Sequence, residues 1–425
     1  MQGDELNLSR PSQTKNSRKH RNLAGFFLAL SSLGVTLFGL EIATRFFSPP
    51  YASYSYQGQD NLFTCHPTLG WTGTPNFQGV IENSDFRQEL AFNSLGMYDQ
   101  EHTVTKAPGT FRILMLGDSY VHAIQVSEAA TAHQRLEDRL NEKSGSINYE
   151  VLSGGVINWG TNQQLIYYRD QGRAFQPDLV LLMFFMGNDF LDNLPGNGLT
   201  IQGFNCYAPY FAVCEGRLKP APLRYAPGIS SLGHNCSPAR RTLINTAGWL
   251  YQHSRLYRQL EPLIIANRPR QQFGRLYPSA FSALYVPNDE AELEQAWQIT
   301  EAILKQLRAE VEAEEARFAV ALISPEVVIR LGLLSPAEQA IFLADNPHFA
   351  EVQANRPNER LAEFFKAAHI PFIDLAPPMH EYLAAHQIPL YLIDDGHWTV
   401  EGNRVVADIL GQWLAEQGFL PEPAD

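Results

Sequence analysis

The sequence predicts an α/β domain built on a parallel sheet, and three observations carry that reading. Short apolar runs of strand length recur at Ile113–Leu116, Tyr149–Leu152, Leu179–Phe185, Ala319–Ser324 and Pro371–Ile373. A run with no polar alternation belongs to a strand buried on both faces. Amphipathic helical stretches separate these runs, and strands alternating with helices imply right-handed crossovers between parallel neighbours. Finally, 425 residues, 45% of them apolar and 18% charged, suffice for a sizeable core.

The elements follow in order. Leu23–Leu40 has no charged residue and as a helix would span roughly 27 Å, near the thickness of bilayer hydrocarbon. Arg10, Lys15, Arg18, Lys19 and Arg21 precede it, and only Arg45 follows before Arg87. That asymmetry predicts a cytoplasmic N-terminus and an extracytoplasmic body, periplasmic or extracellular. A cleaved signal peptide is disfavoured because FGLEIATRFF offers no clean small-residue site. Residues 41–110 are rich in Tyr, Pro, Gly and Asn and contain one alternating run, Phe86–Phe92. They read as a spacer with a β-rich lead-in.

The strand Ile113–Leu116 ends at Gly117. A helix over Ala129–Lys143 follows, with Leu136 and Leu140 on one face, and then the strand Tyr149–Leu152. A helical stretch around Gln163–Phe175 leads to Pro177-Asp178, which punctuates the chain before Leu179–Phe185. Residues 195–287 break the rhythm. They hold many Pro, Gly and aromatic residues and read as an insertion packed over the sheet's C-terminal edge. Asn288 suits an N-cap, and Asp289 and Glu290 the first turn, of a long helix reaching about Glu315. Further helices are expected around Pro336–Leu343, Asn358–Ala368 and Thr399–Gln417.

Cysteines 65, 206, 214 and 236 all follow the anchor and form no C-x-x-C pair, which disfavours a zinc ribbon or a thioredoxin-like site. Disulfides are permitted outside the cytoplasm. Cys206 and Cys214 flank a short aromatic loop and are expected to be able to close it, free buried thiols being the alternative. A net charge of −13, with no basic stripe beyond the N-terminal tail, excludes nucleic-acid binding as the main role.

Four short motifs carry chemistry. The first strand runs into Gly117-Asp118-Ser119, and ligands of parallel sheets bind outside the strands' carboxyl ends. A serine there is a candidate nucleophile, which needs a base of suitable pKa, and histidine supplies one. Asp394-Asp395-Gly396-His397 lies near the other end of the chain. A carboxylate must hold that histidine's tautomer. Asp394, three residues earlier, can fold back to the ring; Asp395 is its rival, and the apolar run Tyr391–Ile393 together with the adjacent spacing favours Asp394. The side-chain amide of Asn188, in Gly187-Asn188-Asp189 after the third strand, can donate to a developing oxyanion, and so can the backbone N–H of Gly155.

The joint order of these motifs resembles the four blocks of the SGNH hydrolases, also called the GDSL esterase/lipase superfamily. The flanks NSLGM, RILMLGDSYV, VLSGGVINWGTNQQ and DDGHWTVEGNRVVA fit as well, so the resemblance covers roughly residues 92–195 and 370–412. Two departures fall in the second block. Ser153-Gly154 stand where Asn and an apolar residue are frequent, and Asn158 stands where Gly is frequent. No G-x-S-x-G elbow, H-E-x-x-H helix or Walker loop competes.

The resemblance implies a three-layer α/β/α sandwich with a five-stranded parallel sheet, SGNH-like and flavodoxin-like. It implies Ser119 as nucleophile, His397 as base and Asp394 as its acid. The oxyanion hole would comprise the Ser119 and Gly155 N–H groups and Asn188, and no metal or organic cofactor is expected. The expected activity is hydrolysis of carboxylic, foremost O-acetyl, esters of envelope carbohydrate or small acylated substrates. An O-acyltransferase on extracytoplasmic polysaccharide and a non-catalytic membrane-anchored binding or assembly protein are the rival readings. The expected organisation is a cytoplasmic tail (1–22), an anchor (23–40), a spacer and lead-in (41–110) and a hydrolase domain (111–425) with its insertion at about 195–287.

Overall fold

A computed structural model describes residues 14–47, 62–143, 145–194, 198–201, 204–221, 254, 256, 290–331, 333–345 and 357–421. The helix Thr14–Phe47 contains the apolar stretch Phe27–Thr44, long enough to cross a bilayer. Its apolar side chains are uncovered, with Leu28 74%, Val35 73% and Phe38 67% exposed. A soluble core helix would bury such a stripe.

Beyond it, β1 (Phe63–His66) and β2 (Gly70–Gly73) form one antiparallel hairpin, and β3 (Gln78–Glu82) and β4 (Arg87–Ala91) form a second. The expected run Phe86–Phe92 contains the second strand of that second hairpin. Next come β5 (Thr110–Gly117), β6 (Asn148–Gly155) and β7 (Leu179–Phe185). Two further hairpins follow, β8 (Gly198–Ile201) with β9 (Phe204–Tyr207) and β10 (Tyr210–Cys214) with β11 (Arg217–Ala221). The chain then returns to the sheet with β12 (Arg317–Ile323) and β13 (Phe372–Asp374).

The main sheet has the order β13-β12-β7-β5-β6, and every pairing within it is parallel. Counted along the chain this is 2-1-3-4-5, the flavodoxin-like doubly wound order, with its switch point beside β5. Alternate residues of each strand face opposite layers. Leu114, Leu116, Val180, Leu182, Val320 and Leu322 point into one core, which includes residues of the helices Thr161–Asp170, Glu290–Ala313 and Pro357–Ala367. Ile113, Met115, Leu179, Leu181, Ala319 and Ala321 point into the other, with residues of Ala132–Lys143, Ala376–His386 and Val400–Glu416. The result is the three-layer α/β/α arrangement.

The helix Ala376–His386 has no counterpart among the expected elements. Pro377 and Pro378 argue against a helix interior, yet they fall in its first turn, where the missing N–H groups would have no helical partner anyway. Thr399 caps the last helix by accepting from the Gly402 N–H at 3.0 Å. The expected N-cap Asn288 and most of the insertion lie outside the described residues.

The lead-in is built into the body. Leu62, Phe63, Trp71, Phe77, Ile81 and Leu90 all belong to the first core. Trp71 Nε1 donates to the Ile157 carbonyl at 2.9 Å, and Trp159 Nε1 donates to the Trp71 carbonyl at 3.0 Å. These two bonds fasten β2 to the loop that follows β6. The expected closure of Cys206 onto Cys214 is corrected: Cys206 on β9 is bonded to Cys65 on β1, with Cα atoms 5.5 Å apart. Cys206 and Cys214 lie on different hairpins, and β9 packs beside β1 and β2, so its cysteine faces the lead-in. Cys214 is disulfide-bonded too, its partner lying outside the described residues.

Candidate active site

Because β5 lies between β6 and β7, the segments leaving these three strands meet at one edge of the sheet. Asp118 begins the short helix Ser119–His122, its carboxylate accepting from the Tyr120 N–H at 3.0 Å. The helix stops at Ala123, in the left-handed region, where the Ala123 N–H donates to the Ser119 carbonyl at 2.8 Å. The first turn packs directly onto the end of β6. A Cβ on Gly155 would stand 2.5 Å from Val121 Cβ and 2.9 Å from the Asp118 carbonyl oxygen. Glycine is therefore needed at 155 for close approach.

His397 reaches this turn from the far end of the chain. Its Nε2 lies 2.7 Å from Ser119 Oγ, and its Nδ1 lies 2.6 Å from Asp395 Oδ1. The ring packs on Tyr120, with centroids 4.9 Å apart, and the Tyr120 hydroxyl donates to the Gly396 carbonyl at 3.1 Å. An alcohol, an imidazole and a carboxylate thus stand in one hydrogen-bonded line.

The acid in that line is Asp395, which corrects the expectation for Asp394. Gly396 has φ +79°, a left-handed turn that folds Asp395 back against His397. Asp394 faces the other way, and its Oδ2 accepts from Ser84 Oγ at 2.7 Å. Sequence spacing could not separate two adjacent aspartates. The signal that could have done so is the glycine between the second aspartate and the histidine.

Asn188 follows β7 and is buried. Its Nδ2 donates to Asp192 Oδ2 at 2.7 Å and its amide also stabilises the carboxylate of Asp118. The carboxyls around it are costly to ionise. Burial raises Asp118 to about 6, an effect partly offset by the Tyr120 N–H and by His397. Burial and the neighbouring Asp118 hold Asp189 and Asp192 well above the usual carboxylate range. The Ser119 turn is thus backed by acids that resist ionisation, with Asp395 set apart on the histidine loop.

The unusual second block has a local explanation. Asn158 has φ +60°, in the left-handed region, and asparagine tolerates that conformation better than most residues after glycine. Ser153 is buried, and its N–H donates to Asp99 Oδ2 at 2.8 Å. Among the described residues, no group of three or more His, Cys, Asp and Glu side chains is arranged to hold a metal ion.

No family model matches the chain, and no curated protein matches it. Among solved structures it is similar to an acetyl xylan esterase, at 12% identity over 72% of this chain and 99% of that one, with a TM-score of 0.33. It is similar to the lipase/acylhydrolase from Enterococcus faecalis at 12% identity, over 74% of this chain and 100% of that one, TM-score 0.34. A third is a two-domain esterase active on acetylated mannans, at 9% identity, over 74% of this chain and 51% of that one, TM-score 0.35.

Proposed function

We propose that the chain is a membrane-tethered serine esterase of the SGNH kind, acting on carboxylic esters outside the cytoplasm. The line Ser119–His397–Asp395 carries this reading. With its proton on Nδ1 directed at Asp395, His397 presents the Nε2 lone pair to the Ser119 hydroxyl. The serine oxygen attacks the ester carbonyl while its proton moves to Nε2. The C–O bond to the alcohol then breaks, and the leaving alkoxide takes that proton. Water repeats the sequence on acyl-Ser119 and releases the acid.

The developing oxyanion would be met by the N–H groups of Ser119 and Gly155 and by Asn188. Nδ2 of Asn188 is engaged with Asp192 and Asp118, so one of its two hydrogens must turn from a carboxyl to the substrate oxygen as the negative charge develops. Each such donor is worth about 10²–10³ in turnover. The exposed apolar helix at the N-terminus supports an anchor, and the Cys65–Cys206 disulfide supports an oxidising compartment. The basic residues before the helix support an N-in orientation. An enzyme so placed meets acylated envelope carbohydrate first, and O-acetyl esters of such polymers are the substrates we assign.

The test is hydrolysis of p-nitrophenyl acetate and of an acetylated polysaccharide by the full-length chain in detergent, beside Ser119→Ala. The substitution should lower kcat by at least about 10³-fold. Equal rates would overturn the reading. For topology, a periplasm-dependent reporter fused to the C-terminus should be active, and activity only from a cytoplasm-dependent reporter would overturn the assignment.

A further inference from the structure

The turn carrying Asp395 and His397 is anchored at its base. Tyr391 pairs with Trp398 as a bridge, the Leu392 N–H donates to the His397 carbonyl at 2.8 Å, and the Gly396 N–H donates to the Leu392 carbonyl at 3.2 Å. These bonds leave the N–H groups of Asp394 and Asp395 at the tip. Both donate to a single atom, Asp85 Oδ2, at 2.8 Å each. Beside them the Ser84 hydroxyl donates to Asp394 Oδ2 at 2.7 Å. Ser84 and Asp85 lie in the β3–β4 turn, about 310 residues away along the chain.

That turn is a rigid support. Asn83 Oδ1 accepts from the N–H groups of Asp85 and Phe86, at 2.8 and 3.0 Å, and the Asn83 N–H donates to the Phe86 carbonyl at 2.9 Å. This side-chain turn fixes the direction of Asp85. Below it, Ile81 on β3 and Leu90 on β4 are buried in the first core, and Phe86 packs against the same core. The Asp85 carboxylate therefore projects from a fixed arm. Charge-assisted bonds to a carboxylate are roughly twice as strong as neutral ones. Three carboxylates stand close here, and their repulsion is offset because Asp85 meets backbone N–H groups and Asp394 meets a hydroxyl.

We propose that Asp85 is a positioning residue for the reaction, holding the Asp394–Asp395 backbone so that the Asp395 carboxylate meets the His397 ring. The inference rests on the serine-esterase reading and extends it: the lead-in hairpin becomes part of the catalytic machinery. Asp85 acts only through the turn. It sets where Asp395 stands, and so the orientation of the imidazole that must take the Ser119 proton. A misplacement of about 1 Å in such a line can cost on the order of 10²-fold in rate.

The experiment compares full-length wild type, Asp85→Ala, Asp85→Asn, His397→Ala and Ser119→Ala in detergent. Three quantities are read: kcat and KM on p-nitrophenyl acetate, the melting temperature, and the downfield proton NMR signal of the His397 Nδ1–H. The signal is assigned by its loss in His397→Ala. Asp85→Ala should lower kcat about 10–100-fold with KM within about twofold, and should shift or broaden the signal. Asp85→Asn keeps an acceptor oxygen but not the charge and should keep between about a fifth and two fifths of the wild-type kcat. Should Asp85→Ala fail to fold, Asp85→Asn carries the test through a smaller fall in kcat and a shifted signal. The proposal is overturned if the folded variants keep the wild-type signal and a kcat within about twofold of wild type. It is equally overturned if kcat falls only in proportion to the unfolded fraction. Equal hydrolysis by wild type and Ser119→Ala would overturn the esterase reading instead, and the His397 signal would still report whether Asp85 holds the turn.

Discussion

Exchanging each of the adjacent aspartates for asparagine separates their roles. Asp395→Asn keeps the volume of the side chain but replaces the acceptor 2.6 Å from His397 Nδ1 with an amide. An amide can turn its NH₂ toward the ring and hold the wrong tautomer, in which Nε2 carries the proton and cannot accept from Ser119. In a serine triad with that acid neutralised, turnover falls by about 10⁴. At about 1.36 kcal/mol per decade this is roughly 5 kcal/mol of barrier. Asp394→Asn alters only the bond from Ser84 Oγ, and an amide oxygen still accepts it, so the expected loss is under about threefold. The assay is steady-state hydrolysis of p-nitrophenyl acetate by both variants, with melting curves to show that each is folded. A deep loss for Asp394→Asn with near-normal activity for Asp395→Asn would refute the geometric assignment. Equal modest losses would refute the view that either acid orients the histidine.

Four other outcomes follow from the same geometry. Asp118 has a folded pKa of about 6, above its ordinary value of 3.8, so its neutral form is favoured in the fold. That contribution is complete below about pH 3.8 and is lost as pH rises through 6; Asp118→Asn should therefore gain in stability on wild type as pH rises from about 4 to 7, read by urea unfolding. His122 is fully buried among Phe63, Phe92 and Tyr98, and burial lowers its pKa to about 3. Wild type should lose stability as pH falls below 6.5 toward 3, and His122→Phe should lose about 1 kcal/mol less per pH unit in the same unfolding series. Cys65→Ser with Cys206→Ser should cost about 2–5 kcal/mol, read as a lower urea midpoint than that of the unreduced wild type. Gly155→Ala should lower kcat by about 10²-fold or more with little change in KM, because its Cβ would meet Val121 and the Asp118 carbonyl and push the residue 155 N–H off its position.

The sheet was legible because local pattern and burial are the same information in a parallel strand. Leu179–Phe185 is a strand at the bounds its apolar run marked, β5 and β6 extend one to three residues beyond theirs at each end, and β12 and β13 are offset from theirs by one or two residues. The lead-in was harder to read. Its strands are short, and nothing in residues 62–91 announces that Trp71 donates to the Ile157 carbonyl and accepts from Trp159. Ser119 and His397 stood out because each follows a distinctive local turn, and the structure brings them within hydrogen-bond distance.

What the sequence determined by itself was whatever depends on neighbours along the chain: the alternation of strands and helices, the apolar N-terminal helix, and the placing of Ser119, Gly155 and Asn188 at the carboxyl ends of successive strands. Tertiary structure alone decided which aspartate faces His397, which cysteine meets Cys206, and that a carboxylate from the β3–β4 turn grips the histidine loop. These are choices between chemically equivalent groups. Only the path of the backbone through space, set by Gly396 and by packing between segments some 140 to 310 residues apart, distinguishes them.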